Sequence, residues 1–199
     1  MKNKIGLYLI IDGGFTDKFG EIAELAVKHR IRIIQYRHKN ASHPEMLKNA
    51  KKIATITENT DTLFIMNDNL QVALESGADG LHIGQSDIAY TEARKHLPEK
   101  IIGVSSINLI QSQKAENNRA DYLGIGPVFA TTTKLDTPPA IGTKKLSELV
   151  KNISIPIVAI GGINLNNAFE VLQTGVSGIA VISAILGKPD PEKEIIKFM

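Results

Sequence analysis

The chain has 199 residues, 43% of them hydrophobic and 22% charged, which suits one domain with a sizeable core and argues against disorder. A net charge of +2 argues against a broad basic surface for nucleic acid, and the lack of cysteine excludes disulfides and thiolate metal centres. The longest apolar runs, "IPIVAIGGI" and "GIAVISAIL", fall well short of the roughly 20 residues that cross a bilayer.

The first segment, "MKNKIGLYLIID", sets lysines before a short apolar run without a small-residue cleavage site. It reads as a first strand and not as a signal peptide. Strand-like runs then recur along the chain: "GLYLII" (6–11), "IRIIQY" (31–36), "TLFIMN" (62–67), "DGLHIG" (79–84), "KIIGVS" (100–105), "DYLGIG" (121–126), "IPIVAI" (155–160) and "GIAVIS" (178–183). Most are nearly continuous in apolar residues. That is the pattern of strands buried on both faces, as in parallel sheets.

Helical patterns fill the gaps. Over 43–58, Met46, Leu47, Ala50, Ile53, Ala54 and Thr57 recur at 3-and-4 spacing behind a Ser42–Glu45 capping box with Pro44 in the first turn. Asp68 and Gln71 form a second box, D-x-x-Q, ahead of a helix that Gly77 ends. The segment 164–174 starts at Asn164 as N-cap and stops before Gly175. "ESGADGLHIG", "NNRADYLGIG" and "QTGVSGIAVI" each repeat a helix end, a tight turn and a buried strand. Eight such units of about 25 residues each predict a compact (β/α)8 TIM barrel as a single domain over 1–199. A Rossmann sheet fits less well, since no G-x-G-x-x-G follows the first strand.

In such a barrel the chemistry sits where the strands end. Those ends carry Gln35, Arg37 and Lys39, then Asn67 and Asp68, then Asp87, Ser105 and Ser106. Further on come Thr131, Thr132, Thr133 and Lys134, the "GGIN" turn, and Ile182 with Ser183. The set holds cations, two carboxylates and many hydroxyls, without a histidine–carboxylate couple or a nucleophile–base pair. It predicts a polyphosphate site with a divalent cation: Mg²⁺ commonly takes one or two carboxylates plus phosphate oxygens, and Asp68 and Asp87 end adjacent strands. The glycines of "AIGGIN" and the end of "AVISAI" predict a second, metal-free phosphate site. Two anion sites imply two phosphorylated substrates.

Plainer readings exist for the same residues. Asp68 and Asp87 would each serve as a helix cap, and the two jobs are compatible. His82 reads as a packed barrel residue, and His29 as a cation at a helix end.

Taken together, "LYLIID", "QYRHK", "MNDN", "GADGLHIGQSD", "IGVSS", "DYLGIGPVFATTTK", "PIVAIGGIN" and "GIAVISAI" resemble the thiamine-phosphate synthase family over essentially the whole chain. The resemblance implies a transferase that condenses hydroxymethylpyrimidine diphosphate with a thiazole phosphate, or its carboxylated form, to thiamine phosphate and pyrophosphate. Pyrophosphate would leave first, giving a stabilised pyrimidine-methyl cation that the thiazole nitrogen attacks. Asp68 and Asp87 would hold Mg²⁺. Gln35, Arg37, Lys39, Asn67, Ser105 and Lys134 would bind the pyrimidine diphosphate, with Arg37, Lys39, Ser105 and Lys134 as the catalytic set. Thr131, Thr133, Gly162, Ile182 and Ser183 would hold the thiazole phosphate, and Thr132 falls within the same binding loop.

The chain departs from the family pattern at Ile11, His38, Ile107 and Ala130, which touches the pocket's shape but removes no charged group. Ile107 stands near the place where related thiazole tautomerases use a histidine, which counts against that activity. A barrel that only binds phosphorylated ligands would not need two metal carboxylates. Small molecules, and neither nucleic acid nor membrane, are the expected partners, and a homo-oligomer is left open. A cytoplasmic location is expected, which the absence of cysteine fits.

Overall fold

The computed structural model describes residues 4–133 and 138–199. Eight strands pair in parallel and close in chain order, with the last returning to the first. They are β1 (Gly6–Asp12), β2 (Ile33–Arg37), β3 (Leu63–Asn67), β4 (Gly80–Ile83), β5 (Ile101–Ser106), β6 (Tyr122–Ile125), β7 (Ile157–Ile160) and β8 (Gly178–Val181). Each lies within two residues of its expected bounds at either end. The crossover helices are α1 (Phe19–Lys28), α2 (His43–Thr57), α3 (Leu70–Ser76), α4 (Tyr90–His96), α5 (Leu109–Asn117), α6 (Gly142–Asn152) and α7 (Ala168–Gln173). Two more, α8 (Ser183–Leu186) and α9 (Pro191–Phe198), follow β8.

Strand parity sorts the core into two parts. Tyr8, Ile10, Ile33, Ile65, Tyr122, Val158 and Ala180 point into the barrel and pack as one cluster. Their alternates, such as Leu9, Ile34, Phe64, Leu81 and Leu123, point out against the helices in a second cluster. Both faces of every strand are therefore covered, which is why the strands read as unbroken apolar runs. The barrel interior is filled by large residues set against small ones. A Cβ on Gly103 would stand 2.1 Å from Cζ of Tyr122, so the tyrosine ring occupies the space a side chain would take.

Side-chain caps set the starts of α2, α3, α5 and α9, and three expectations are corrected. Ser42 caps α2 as expected, its Oγ accepting from the Glu45 N–H at 3.4 Å. The cap of α3 is Asn69 and not Asp68: Asn69 Oδ1 accepts from the Val72 N–H at 3.0 Å. Asp68 sits at φ 59°, left-handed, whereas an N-cap needs extended backbone. Asp87 caps no helix either, since α4 starts behind Ala89. Finally, α7 begins at Ala168 and not after Asn164. Asn164 Oδ1 accepts from the Asn166 N–H at 2.9 Å, forming a turn that delays the helix.

Candidate active site

The inward row of each strand continues upward to the rim. On β2 it runs Ile33, Gln35, Arg37; on β3, Ile65, Asn67; on β5, Gly103, Ser105. These rows open into one cavity of about 500 Å³ at the C-terminal ends of the strands. Gln35, Arg37, Lys39, Asn67, Asp68, Asp87, Ser105, Thr131, Thr133, Gly162, Ile182 and Ser183 all line it. Thr132 is exposed and is not part of the lining, because it alternates with the two threonines that are. Lys134 lies outside the described residues.

One side of the cavity is acidic at its centre and basic at its edge. The left-handed backbone at Asp68 is secured by its N–H, which donates to the His82 carbonyl at 2.8 Å. That turn brings its carboxylate within hydrogen-bonding reach of Asp87. Asp87 in turn accepts the Gly84 N–H at 2.6 Å. Lys39 Nζ stands 3.7 Å from Asp68 Oδ2. Burial, then the contact with Asp87 and its charge, pushes the Asp68 carboxyl up to about 6, against the opposing pull of Lys39 and Asn67. Two carboxylates held this close are strained unless something positive joins them. The donors are hard oxygens on adjacent strand ends, so the residues fit a divalent cation of the Mg²⁺ type. Arg37, beside them, donates from Nη1 to the buried Asp12 carboxylate.

The floor is a hydrogen-bonded chain that sequence reasoning missed. Gln35 Nε2 donates to Tyr8 Oη at 2.7 Å, and the Tyr8 and Tyr122 hydroxyls share a bond of 2.8 Å. Tyr122 Oη and His82 Nδ1 are 2.9 Å apart, as are His82 Nε2 and Ser105 Oγ. Burial pushes both phenols well above their ordinary range, so they stay protonated at neutral pH. Tyr8, His82 and Tyr122 all line the cavity. His82 is thus more than the packed residue its strand position suggests: both ring nitrogens are engaged. The available signal was parity, since all three share the inward row of their strands.

The opposite wall is built from backbone. Gly161 and Gly162 adopt φ of 98° and 65°. A Cβ on Gly162 would meet the Ala130 carbonyl oxygen at 2.6 Å. Only glycine permits both the backbone and the close approach. Next to it, Ile182 and Ser183 form the entry to α8. Thr131 Oγ1 donates to Thr133 Oγ1 at 3.2 Å within one loop that lines the cavity. Ile107, one of the departures from the family pattern, also lines the cavity. His38, another, packs its ring against Phe19 and over Gly13, away from the site.

The family pattern described as thiamine monophosphate synthase matches residues 7–185. A thiamine-phosphate synthase of Archaeoglobus fulgidus is 46% identical over 97% of this chain and 91% of its own length. The chain belongs to the thiamine monophosphate synthase family. A second relative so named, from Pyrococcus furiosus, is 42% identical over 97% of this chain and 92% of its own. The solved thiamine phosphate pyrophosphorylase from Pyrococcus furiosus superimposes with a TM-score of 0.90 at 40% identity, covering 98% of this chain and 94% of that one. A 3-hexulose-6-phosphate synthase, at TM-score 0.65 and 18% identity, shares the barrel alone. Like other members of the thiamine monophosphate synthase family, the chain is an enzyme. No helix among the described residues is long and apolar enough to cross a membrane.

Proposed function

We propose that this transferase condenses hydroxymethylpyrimidine diphosphate with a thiazole phosphate, giving thiamine phosphate and pyrophosphate. One observation carries the assignment of its parts. A single cavity opposes a carboxylate pair flanked by Arg37 and Lys39 to a glycine-lined wall at β7 and β8. Two anionic substrates could enter from the two sides with their reactive ends meeting between.

The reaction breaks the bond between the pyrimidine methylene carbon and the diphosphate oxygen, and both electrons leave with pyrophosphate. The thiazole nitrogen then gives its lone pair to the methylene carbon; with the carboxylated thiazole, carbon dioxide is also lost. No protein nucleophile is needed. What the chain must do is stabilise charge on the leaving group and hold both partners in line. Arg37 and Lys39 would take the diphosphate oxygens, and Lys134 is assigned to the same group. Asp68 and Asp87 would hold Mg²⁺, which supplies Lewis-acid neutralisation of the departing charge.

The floor suits a polar heteroaromatic ring. Gln35, Ser105 and Asn67 present donors and acceptors to the cavity, above Tyr8, Tyr122 and a His82 whose two ring nitrogens hold Tyr122 and Ser105 in place. The glycine wall, with Ile182, Ser183, Thr131 and Thr133, would take the thiazole phosphate through backbone N–H groups and hydroxyls. The same reading puts the enzyme in the cytoplasm, where charged phosphate esters are retained. The decisive experiment mixes purified protein, Mg²⁺ and both substrates and measures thiamine phosphate and pyrophosphate. No product above the protein-free control overturns the assignment.

A further inference from the structure

A carboxylate that lines no part of the cavity stands behind Arg37. Asp12 ends β1 as Arg37 ends β2, and the two are register partners in the barrel. Both follow the inward parity of their strands. Asp12 is only 4% exposed. One of its oxygens accepts the Gly14 N–H at 2.8 Å, and the other accepts from Arg37 Nη1. Its carbonyl accepts the N–H groups of Phe15 at 2.9 Å and Thr16 at 3.2 Å. The Gly13 N–H donates to the Arg37 carbonyl at 2.9 Å. Main chain and side chain of Arg37 are therefore fastened to one turn.

Attraction does not explain this carboxylate. Its negative charge opposes the anion Arg37 faces, and a desolvated ion pair is weak evidence for stability. Geometry explains it. A guanidinium recognises phosphate edge-on, through parallel N–H donors in a fixed plane. Arg37 has five donors, and engaging the Nη1 edge from behind fixes where the rest of the fork points. Lys39 at the same rim is a point charge half exposed to water and needs no such support.

We propose that Asp12 is a positioning residue, which orients the Arg37 guanidinium toward the diphosphate of the pyrimidine substrate. The proposal rests on the assignment of Arg37 to that diphosphate. Asp12 acts through Arg37 and does not touch substrate.

A double-mutant cycle tests it, using Asp12→Ala, Asp12→Asn, Arg37→Ala and the Asp12→Ala/Arg37→Ala double. The readouts are KM for each substrate and the inhibition constant of inorganic pyrophosphate in the presence of Mg²⁺. Asp12→Ala should raise the pyrimidine diphosphate KM and the pyrophosphate constant about tenfold, with the thiazole phosphate KM moving less than about twofold. Asp12→Asn, which keeps one acceptor, should fall between, at about threefold. The double should match Arg37→Ala within about twofold, because residues acting as one unit are not additive. Equal shifts for both substrates, or full additivity in the double, overturn the proposal. Should Asp12→Ala fail to fold, Asp12→Asn takes its place in the cycle with the same signs. If Arg37→Ala leaves pyrophosphate inhibition unchanged, the assignment of Arg37 fails and the role of Asp12 with it. If Arg37→Ala weakens inhibition while the Asp12 variants do not, only the role of Asp12 falls.

Discussion

Asp68 and Asp87 lie within hydrogen-bonding reach of each other, although each belongs to a different strand end. Burial and that contact lift Asp68 from its ordinary 3.8 to about 6. A carboxyl whose pKa is higher when folded favours the folded state most while protonated. In metal-free protein this stability is complete below the unfolded pKa and is lost as pH rises through the folded one. Asp68→Asn should therefore melt close to the parent at about pH 4 and above it at about pH 7.5. With saturating Mg²⁺ at the higher pH the order should reverse, since the variant loses a ligand. Melting curves at both pH values, with and without Mg²⁺, check this. Parallel pH profiles for the two proteins would show that the carboxylates do not repel each other.

Asp87 separates a metal role from a structural one. It caps no helix, and its carboxylate accepts the Gly84 N–H. Losing that contact costs on the order of 1 kcal/mol, within reach of a stable fold. Losing Lewis-acid support costs several kcal/mol of transition-state stabilisation, and each 1.4 kcal/mol or so is tenfold. Asp87→Ala should therefore lower kcat at least about a hundredfold while remaining folded. Steady-state kinetics across a Mg²⁺ titration, with circular dichroism as control, measure both. A near-normal rate would leave Asp87 as a turn residue.

What was legible in the sequence followed from physics that is local or periodic. Unbroken apolar runs revealed doubly covered strands, and polar residues at their ends marked the rim, which brought Gln35, Arg37, Asn67, Asp68, Asp87 and Ser105 to one cavity. Less legible was anything depending on which inward residues meet across the barrel. Tyr8 and Tyr122 are 114 positions apart, and each reads as an ordinary strand aromatic until closure joins their hydroxyls. Asp12 lay just past the expected first strand, and chain order hides that its partner is Arg37, 25 positions on and its register neighbour across the sheet. The misjudged cap at Asp68 has a different cause. Composition cannot reveal a left-handed backbone at an aspartate, and the neighbouring Asn69 is an equally good cap.

The glycine wall yields a selective prediction. Gly162 combines φ 65° with a carbonyl oxygen 2.6 Å from where its Cβ would be. An alanine there would strain the backbone and push the Ala130 segment, close to Thr131. Gly162→Ala should raise the thiazole phosphate KM about tenfold or more, with a smaller effect on the pyrimidine diphosphate. Separate KM determinations for the two substrates decide it. A larger effect on the pyrimidine substrate would reverse the assignment of the two anion sites.

The last prediction concerns the barrel floor. Tyr122 holds Tyr8 on one side and His82 on the other, and its ring fills the space over Gly103. Tyr122→Phe keeps the ring and removes the hydroxyl, leaving the buried Tyr8 hydroxyl with one partner fewer. It should lower stability by about 1–3 kcal/mol. Gly103→Ala keeps the hydroxyl and displaces the ring, at a cost of about 1–3 kcal/mol from overpacking. Both act on one side chain, so their effects should not add, whereas independent sites add within about 0.5 kcal/mol. Urea denaturation of the two single variants and the double measures the coupling. Simple additivity would mean that ring placement and the hydroxyl chain are separate features of the floor. Strong coupling would mean that the packing of Tyr122 sets the orientation of His82, and through it the Ser105 hydroxyl that faces the cavity.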